Sequence, residues 1–188
     1  MEPGRRRPAP GTLRLLQQFI NTYNIEREHL GLRTEEFASP ADLRRWLVKH
    51  ALLARSARVR AAEVGRVQEV REALRRLLRA HNGGPRDSTA VGVLNRLARD
   101  ARLAVRLRQD GQMRLESDAP GVIGALGRLV AAAFMAQIEG TWPRLKACRR
   151  CHWAFYDHSK NRSGRWCVMS ICGNRTKAHA YRSRHRGR

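Results

Sequence analysis

The chain has 188 residues, of which 38 are Lys or Arg and 16 are Asp or Glu, giving a formal net charge of +22. Hydrophobic residues make up 42% of the chain, which supports a real core and argues against wholesale disorder. Aromatic residues make up only 6%, and the apolar set is dominated by Leu, Val and Ala, which favours helices over a large sheet. A charge imbalance of this size points to an anionic partner, with nucleic acid first and an acidic membrane surface second.

Targeting and membrane signals are weak in this sequence. By inspection, no apolar run approaches the length of a membrane span. The basic triplet Arg5-Arg6-Arg7 is not followed by the apolar segment of a signal peptide. We therefore predict a cytoplasmic protein with no membrane partner, in which cysteines remain reduced.

The first half of the chain predicts three helices. Residues 1–11, rich in Pro, Gly and Arg, predict a flexible basic arm. A helix is predicted from residue 12 to about 29, because apolar residues recur at steps of three and four. The motif Ser39-Pro40-Ala41-Asp42 predicts the start of a second helix, with Ser as cap and Pro at the first helical position. A third helix is predicted over 61–81, ended by the Asn-Gly-Gly-Pro sequence at 82–85.

The next segment predicts two more helices and a hairpin. The first helix covers 87–99 and turns three apolar side chains inward: Val91, Leu94 and Leu97. Alternating apolar residues on both sides of Asp110-Gly111 predict a β-hairpin over about 103–116. Asp118 is predicted to cap a further helix that runs to about Glu139. This helix is largely apolar, so we expect it to be the most buried.

The composition changes after Trp142-Pro143. Residues 144–188 contain 13 Lys and Arg but only one acid, Asp157, so more than half of the net charge lies in less than a quarter of the chain. This change predicts a domain boundary near residue 143. We therefore divide the chain into the arm at 1–11, a helical domain at 12–143 and a small basic module at 144–188.

All four cysteines lie in this module, in the order Cys148-x2-Cys151, then 15 residues, then Cys167-x4-Cys172. This spacing predicts one zinc ion held by four thiolates. Alternatives are free thiols, two disulfides, or a ligand role for His152 or His158. The complete set of four sulfurs and the absence of a Glu beside them favour a structural ion over a catalytic one.

A module this small buries too little apolar surface to fold alone, so the metal should supply most of its folding free energy. We expect a mini-core beside the ion, made of four aromatic residues: Trp153, Phe155, Tyr156 and Trp166. The predicted fold is mainly α. It has a helical N-terminal domain with one small β-hairpin, followed by a small C-terminal four-cysteine zinc-finger module that ends in a helix.

The sequences Trp166-Cys167-Val168-Met169 and Cys172-Gly173-Asn174-Arg175 resemble the CGNR zinc finger, as does the stretch from Phe155 to Asn161. Upstream, Phe19-Ile20-Asn21-Thr22 and the segment from Ser39 to Leu47 resemble the helical ABATE domain. The resemblance implies zinc at the four cysteines and a bacterial DNA-binding transcription regulator. The chain departs from the family pattern at three positions: Gln18, Gly164 and Val168.

A helix over about 173–184 would present basic side chains to DNA, together with the loop before Trp166. The predicted DNA-contacting residues are Arg162, Arg165, Arg175, Lys177, Arg182 and Arg184, because guanidinium and ammonium groups bind phosphates and guanidinium also reads guanine. Arg175 has an alternative structural role against Trp166. The function predicted first is therefore binding of double-stranded DNA in transcription regulation, with zinc as scaffold.

Two other functions remain open. The same basic face could bind RNA or the ribosome. Alternatively, the helical domain could sense a small-molecule effector without binding nucleic acid directly, in a pocket lined by Asn21, Thr22 and Trp46. These three side chains also suit cap and core roles. A homodimer is open, and no nucleophile–base pair or phosphate-binding glycine loop predicts an enzyme.

Overall fold

The computed structural model describes residues 7–25 and 34–185. About 52% of the described residues are helical, which confirms the mainly α prediction. The helices are α1 (Leu13–Ile20), α2 (Pro40–Lys49), α3 (Ala61–Ala80), α4 (Ser88–Asp100), α5 (Gly121–Ile138) and α6 (Asn174–His185). The strands form two antiparallel hairpins, β1 (Leu103–Leu107) with β2 (Met113–Ser117), and β3 (Leu145–Ala147) with β4 (Ala154–Tyr156).

Helix α3 is the centre of the helical part. It packs against α1, α2 and α4, while α5 packs against α1, α4 and β2. The side chains that these helices bury are mostly aliphatic, and three aromatic rings close the core near α2. Phe19, Phe37 and Trp46 lie with ring centroids 5.6–5.9 Å apart. This core contains no cysteine.

Helix α1 ends at Ile20, nine residues before the predicted end, and residues 26–29 of that prediction lie outside the described residues. Buried Arg75 of α3 explains the early end, because its guanidinium donates to the carbonyl oxygens of Ile20 at 2.5 Å and Tyr23 at 3.0 Å. These bonds satisfy acceptors that a longer helix would have used.

The local start signals give mixed outcomes. Ser39 caps α2 as predicted, since its side chain accepts the N–H of Asp42. Asp87 likewise caps α4. The prediction that Asp118 caps α5 is wrong, because Asp118 pairs with Arg106 and the helix begins after Pro120.

Two apolar predictions also need correction. Val91 is 46% exposed, whereas Val93 is buried, so the inward face of α4 is rotated from the predicted one. Helix α5 is buried in its first half, but Phe134 and Ile138 are exposed at 45% and 69%. The C-terminal end of α5 is therefore not the most buried segment.

Helix α5 also corrects the expectation about membrane spans. By length and composition alone, Gly121–Ile138 is long and apolar enough to cross a bilayer. Core helices of globular folds share that property, and α5 places Val122, Leu126 and Leu129 in the core shared with α1 and α4.

The C-terminal module is joined to the helical part. Strand β3 packs on α3 and β4 packs on α1, and four residues of this hairpin belong to the helical core: Leu145, Ala147, Ala154 and Tyr156. Residues 7–11 also pack on the fold, with Ala9 buried and its N–H bonded to Gln17 at 2.8 Å. Residues 1–6 of the predicted arm lie outside the described residues.

Candidate zinc centre and basic cleft

The first cysteine pair lies in the turn between β3 and β4. Cys148 follows β3 directly, and its N–H donates to the carbonyl of Trp153 at 3.0 Å. The N–H of His152 donates back to the carbonyl of Cys148 at 3.0 Å, and His152 adopts a positive φ of 58°. This tight turn brings the Cys148 and Cys151 sulfurs close enough to bind one ion, which is what a two-residue gap between ligands predicts.

The second pair is presented by a single π-helical turn, Met169–Gly173, that leads into α6. Cys167 lies just before the turn and Cys172 lies within it. The N–H of Cys172 donates to the carbonyl of Val168 at 2.9 Å. The hydroxyl of Thr176 then donates to the carbonyl of Cys172 at 2.8 Å, which ties the turn to the first turn of α6.

The four sulfurs converge on one centre. All four cysteines are buried, and their Sγ atoms lie within 4.8 Å of one another. Cys151 and Cys167 are 3.4 Å apart, and Cys172 lies 3.6 Å from each of them. Four sulfurs at the usual zinc distance of about 2.3 Å in a tetrahedron are about 3.8 Å apart, so the observed set fits the ion. Disulfide bonds need about 2.05 Å, which these separations exceed.

The electrostatics of the cluster also call for a cation. Burial raises the pKa of the Cys172 thiol above its ordinary value, because desolvation disfavours the thiolate. Hydrogen bonds within the cluster, first with Cys148, raise the pKa of Cys167 and Cys151 as well, whereas those from Cys151 and Cys167 lower the pKa of Cys148, so that the cluster without an ion favours a single thiolate. A divalent ion reverses this penalty, since thiolates are its ligands. The prediction of one structural zinc ion is confirmed.

The two histidines considered as alternative ligands do not belong to the ligand group found in the described residues. His158 Nε2 lies 3.2 Å from the carbonyl oxygens of Arg7 and Pro8. The carbonyl of His152 accepts a 3.0 Å hydrogen bond from Arg75, and the ligand group found in the described residues consists of cysteines alone. A complete sulfur set leaves no open coordination position, which is typical of a structural site.

The expected mini-core is only partly as predicted. Buried Phe155 packs with the four cysteines, and Trp153 and Trp166 pack against that cluster while half-buried. Tyr156 instead lies in the core of the helical part. Neighbouring residues in a strand point to opposite faces, so Phe155 faces the metal and Tyr156 faces the helices.

The only acid of residues 144–188 is used internally. Asp157 is fully buried and accepts a 2.8 Å hydrogen bond from the ammonium of Lys146, which is also buried. Burial alone would raise the pKa of the Asp157 carboxyl, but hydrogen bonds from Lys146, Ser159 and Gly164 outweigh it and hold the pKa well below its usual range. A Cβ at Gly164 would lie 2.7 Å from this carboxylate, so a larger side chain there requires movement.

The outer face of the module forms a basic cleft of about 550 Å³. Its lining consists of Arg149, Arg150, Trp166, Arg175, Thr176 and Arg182. Four guanidinium groups and no carboxylate therefore surround one cavity beside the zinc centre. Such groups bind phosphate with two parallel hydrogen bonds, so the cleft is suited to a phosphate-bearing partner.

Two family models match this architecture. The ABATE model, described as "Putative stress-induced transcription regulator", matches residues 13–139, which is more than half of the chain. The chain belongs to the ABATE family. The CGNR zinc finger model matches residues 144–185 and covers all four cysteines. No curated protein matches the chain at a significant level.

These two matches confirm the resemblance seen in the sequence. They make the chain a zinc-binding member of a family described as regulators, and neither family is an enzyme class. The CGNR finger is the part of this ABATE protein that carries the cleft.

The structure brings together only some of the side chains predicted to contact DNA. Arg175 and Arg182 line the cleft, while Lys177 is exposed on the same helix, α6. Arg162 and Arg165 are exposed in the loop that follows β4, outside the residues that line this cleft. The side chain of Arg184 lies outside the described residues.

Sequence reasoning missed Arg149 and Arg150, although a signal for them was present. They are the two residues between Cys148 and Cys151. When both cysteines of a tight turn point inward to a metal, the residues between them lie on its outer surface. Both arginines are indeed exposed, and both line the cleft.

The residues proposed for a ligand pocket in the ABATE domain have packing and bonding roles. Asn21 exchanges two hydrogen bonds with the backbone of Ala154, at 2.9 and 2.8 Å. Thr22 donates to the carbonyl of Phe19 at 2.7 Å and accepts from buried Arg71 at 3.2 Å. Trp46 packs against Phe19 and is 9% exposed. These contacts favour the cap and core roles over a pocket.

Proposed function

We propose that this ABATE protein is a bacterial transcription regulator that binds double-stranded DNA through the basic cleft of its finger. The observation that carries the proposal is the lining of the cleft, which holds four arginines and no acid. Zinc acts as scaffold, because the turns that hold it also carry Arg149, Arg150 and the start of α6. The protein would act in the cytoplasm, where the cysteines stay reduced.

Contacts to four phosphates make binding strongly dependent on salt. Each neutralised phosphate contributes about −0.9 to the slope of log K against log salt, so we expect roughly −4 for duplex DNA. Fluorescence anisotropy with labelled duplex fragments at several salt concentrations measures this slope. Absence of binding, or binding that does not change with salt, would overturn the proposal.

The cleft can be tested by removing two of its charges. The double variant Arg150→Ala/Arg182→Ala should make the salt slope less steep by about 2 and weaken binding to every duplex. Arg58→Ala/Arg114→Ala is the matched control, because both of these arginines are exposed and neither lines the cleft. Equal effects of the two double variants would show that net charge, and not the cleft, drives binding.

One observation supports a second candidate, binding of single-stranded or structured RNA. Trp166 lines the cleft among the arginines and is only partly buried, so part of its indole lies at the surface of the cleft. Aromatic stacking beside cationic groups is typical of single-strand recognition. Competition between duplex DNA and structured RNA for the labelled duplex separates the two candidates.

For the helical part we propose a role in homodimerisation. Val105, Leu107 and Met113 of the first hairpin are exposed at 64%, 73% and 69%, and Leu107 is directly opposite Met113. Exposed apolar side chains grouped on one face are typical of interaction sites. Light scattering coupled to gel filtration should give a dimer mass that Leu107→Ser converts to the monomer. A monomeric wild type would exclude this role.

A further inference from the structure

Arg149 lies where two cavities meet. It lines the basic cleft of the finger and also a smaller cavity of about 250 Å³ between the finger and the end of α3, here called the junction cavity. The helical part contributes Arg79, Asn82, Gly83 and Gly84 to the junction cavity, and the finger contributes Ala147, Cys148, Arg149 and His152. The cationic surface therefore does not stop at the family boundary but continues onto α3.

The helical part holds Arg149 in place. The Nε–H of Arg149 donates to the carbonyl of Asn82 at 2.7 Å. Asn82 is buried, and its side-chain amide donates to the carbonyls of Ala147 at 2.8 Å and Arg165 at 2.9 Å. Asn82, two residues after the end of α3, thus binds the end of β3 and the loop that carries Arg165, and both segments lead directly into zinc ligands.

Arg79 extends the charge of this surface. It lies in the last turn of α3, three residues before Asn82, and its side chain is exposed. It lines the junction cavity with Arg149, and no residue that lines this cavity is acidic. A polyanion that contacts Arg149 in the cleft therefore has a second cationic side chain within reach, Arg79, which belongs to the other domain.

We propose that the end of helix α3 is part of the nucleic-acid surface, with Arg79 contacting a backbone phosphate beside Arg149 and Asn82 positioning Arg149. This inference rests on the proposed function of the cleft. It assigns a direct phosphate contact to the ABATE domain, so that the DNA spans both domains and their relative position affects binding.

The first test compares two single arginine variants in the zinc-loaded full chain. Arg79→Ala should lower the salt slope for duplex DNA by about 1 and raise Kd several-fold on every sequence. Arg114→Ala, in the first hairpin, removes the same charge but lines neither cavity, so its slope should equal that of the wild type.

The outcomes separate this inference from the proposed function. If the wild type does not bind nucleic acid, both fail. If the wild type binds and Arg150→Ala/Arg182→Ala weakens it, while Arg79→Ala and Arg114→Ala behave alike, the cleft stands and the extension onto α3 is wrong.

The second test moves Arg149 without changing any charge. A Cβ on Gly83 would lie 2.6 Å from the Arg149 guanidinium, whereas a Cβ on Gly111 meets nothing within 4 Å. Both glycines have a positive φ, +80° and +78°, so alanine imposes the same kind of backbone strain at each. At equal zinc content, Gly83→Ala should therefore bind duplex DNA more weakly and with a less steep salt dependence than the wild type. Gly111→Ala should bind like the wild type.

A double variant shows whether this loss acts through Arg149. Arg149→Ala should weaken binding, and adding Gly83→Ala to it should produce little further loss. If Gly83→Ala binds like Gly111→Ala, or if its effect adds fully to that of Arg149→Ala, the positioning role of the α3 end is refuted.

Discussion

The helical part and the finger differ in what their interiors contain and in how their charged residues are used. The helical part buries a continuous aliphatic and aromatic core and contains 14 of the 16 acids, several of which pair with surface arginines. The finger buries four cysteines and Phe155, and its one acid is buried with Lys146. We therefore expect the finger to depend on a metal for its stability, while its surface remains positively charged.

The border between these two regions does not coincide with the change in composition near residue 143. Strands β3 and β4 lie after that point, yet their inward side chains pack in the helical core. The hairpin is held from outside by Asn21, Arg75 and Asn82, which bond to backbone atoms of Ala154, His152 and Ala147. We therefore expect the metal-dependent part to be smaller than the basic module.

Zinc removal is expected to have the largest effect. Apparent binding free energies of about 10–16 kcal/mol are typical of zinc-finger peptides and supply their folding free energy. A chelator should abolish hydrogen-exchange protection at Cys148–Cys151 and in the π-helical turn, while the amides of α3 remain protected. Strand β3 should keep part of its protection, because α3 covers it.

Addition of zinc after chelation is the control and should restore protection at both turns. Loss of protection in α3 in parallel with the cysteine turns would contradict this division into metal-dependent and metal-independent parts. Unchanged protection at the cysteine turns would contradict the zinc site itself.

The buried ion pair of the finger should give the next largest effect. Asp157→Asn leaves the Lys146 ammonium buried without a counter-charge, which typically costs about 3–5 kcal/mol. Urea denaturation of the zinc-saturated protein measures the loss. Asp110→Asn, at the exposed tip of the first hairpin, makes the same charge change and should cost less than about 0.5 kcal/mol. Similar costs at both sites would mean that the pair does not stabilise the loop that carries Arg162 and Arg165.

A smaller effect is expected where the two regions join. Asn21→Ala removes two buried hydrogen bonds to Ala154 and leaves the Ala154 N–H without its acceptor. The free energy of unfolding should fall by about 2–3 kcal/mol. Denaturation is followed by the helical circular-dichroism signal for the helical part and by zinc release for the finger. The midpoints of these two transitions should lie further apart in Asn21→Ala than in the wild type.

Asn95→Ala, on the exposed face of α4, is the matched control and should change stability by less than about 0.5 kcal/mol. If Asn21→Ala shifts both transitions equally, the bonds stabilise the whole fold without specifically coupling its two regions.

The difference between the regions also explains what the sequence could predict. The Ser39 cap, the hairpin predicted over about 103–116 and the cysteine spacing follow local rules, because each depends on residues a few positions apart. These predictions agree with the structure. The zinc site was the most predictable part, since its ligands need only two tight turns to meet.

The joining contacts could not be predicted in the same way. Asn21 and Ala154 are 133 residues apart, Arg75 and His152 are 77 apart, and Asn82 and Ala147 are 65 apart. In each pair the partner of the side chain is a backbone atom, which carries no sequence signature. The buried face of α3 is mostly apolar, yet Arg71 and Arg75 are also buried there because they bind carboxylate and carbonyl groups.

The smallest expected effect tests whether the two regions respond separately. Ser39→Ala removes the cap of α2 and should cost about 1 kcal/mol of helical-part stability. Ser56→Ala, exposed in the segment after α2, is the control and should cost almost nothing. Helix α2 packs on α3 and is far from every cysteine in the sequence. The zinc affinity of the folded Ser39→Ala protein should therefore equal that of the wild type. A competition titration with a chromophoric chelator measures this affinity. A fall in zinc affinity with Ser39→Ala but not with Ser56→Ala would show that α2 communicates with the metal centre through α3, and the two regions would then have to be treated as one cooperative unit.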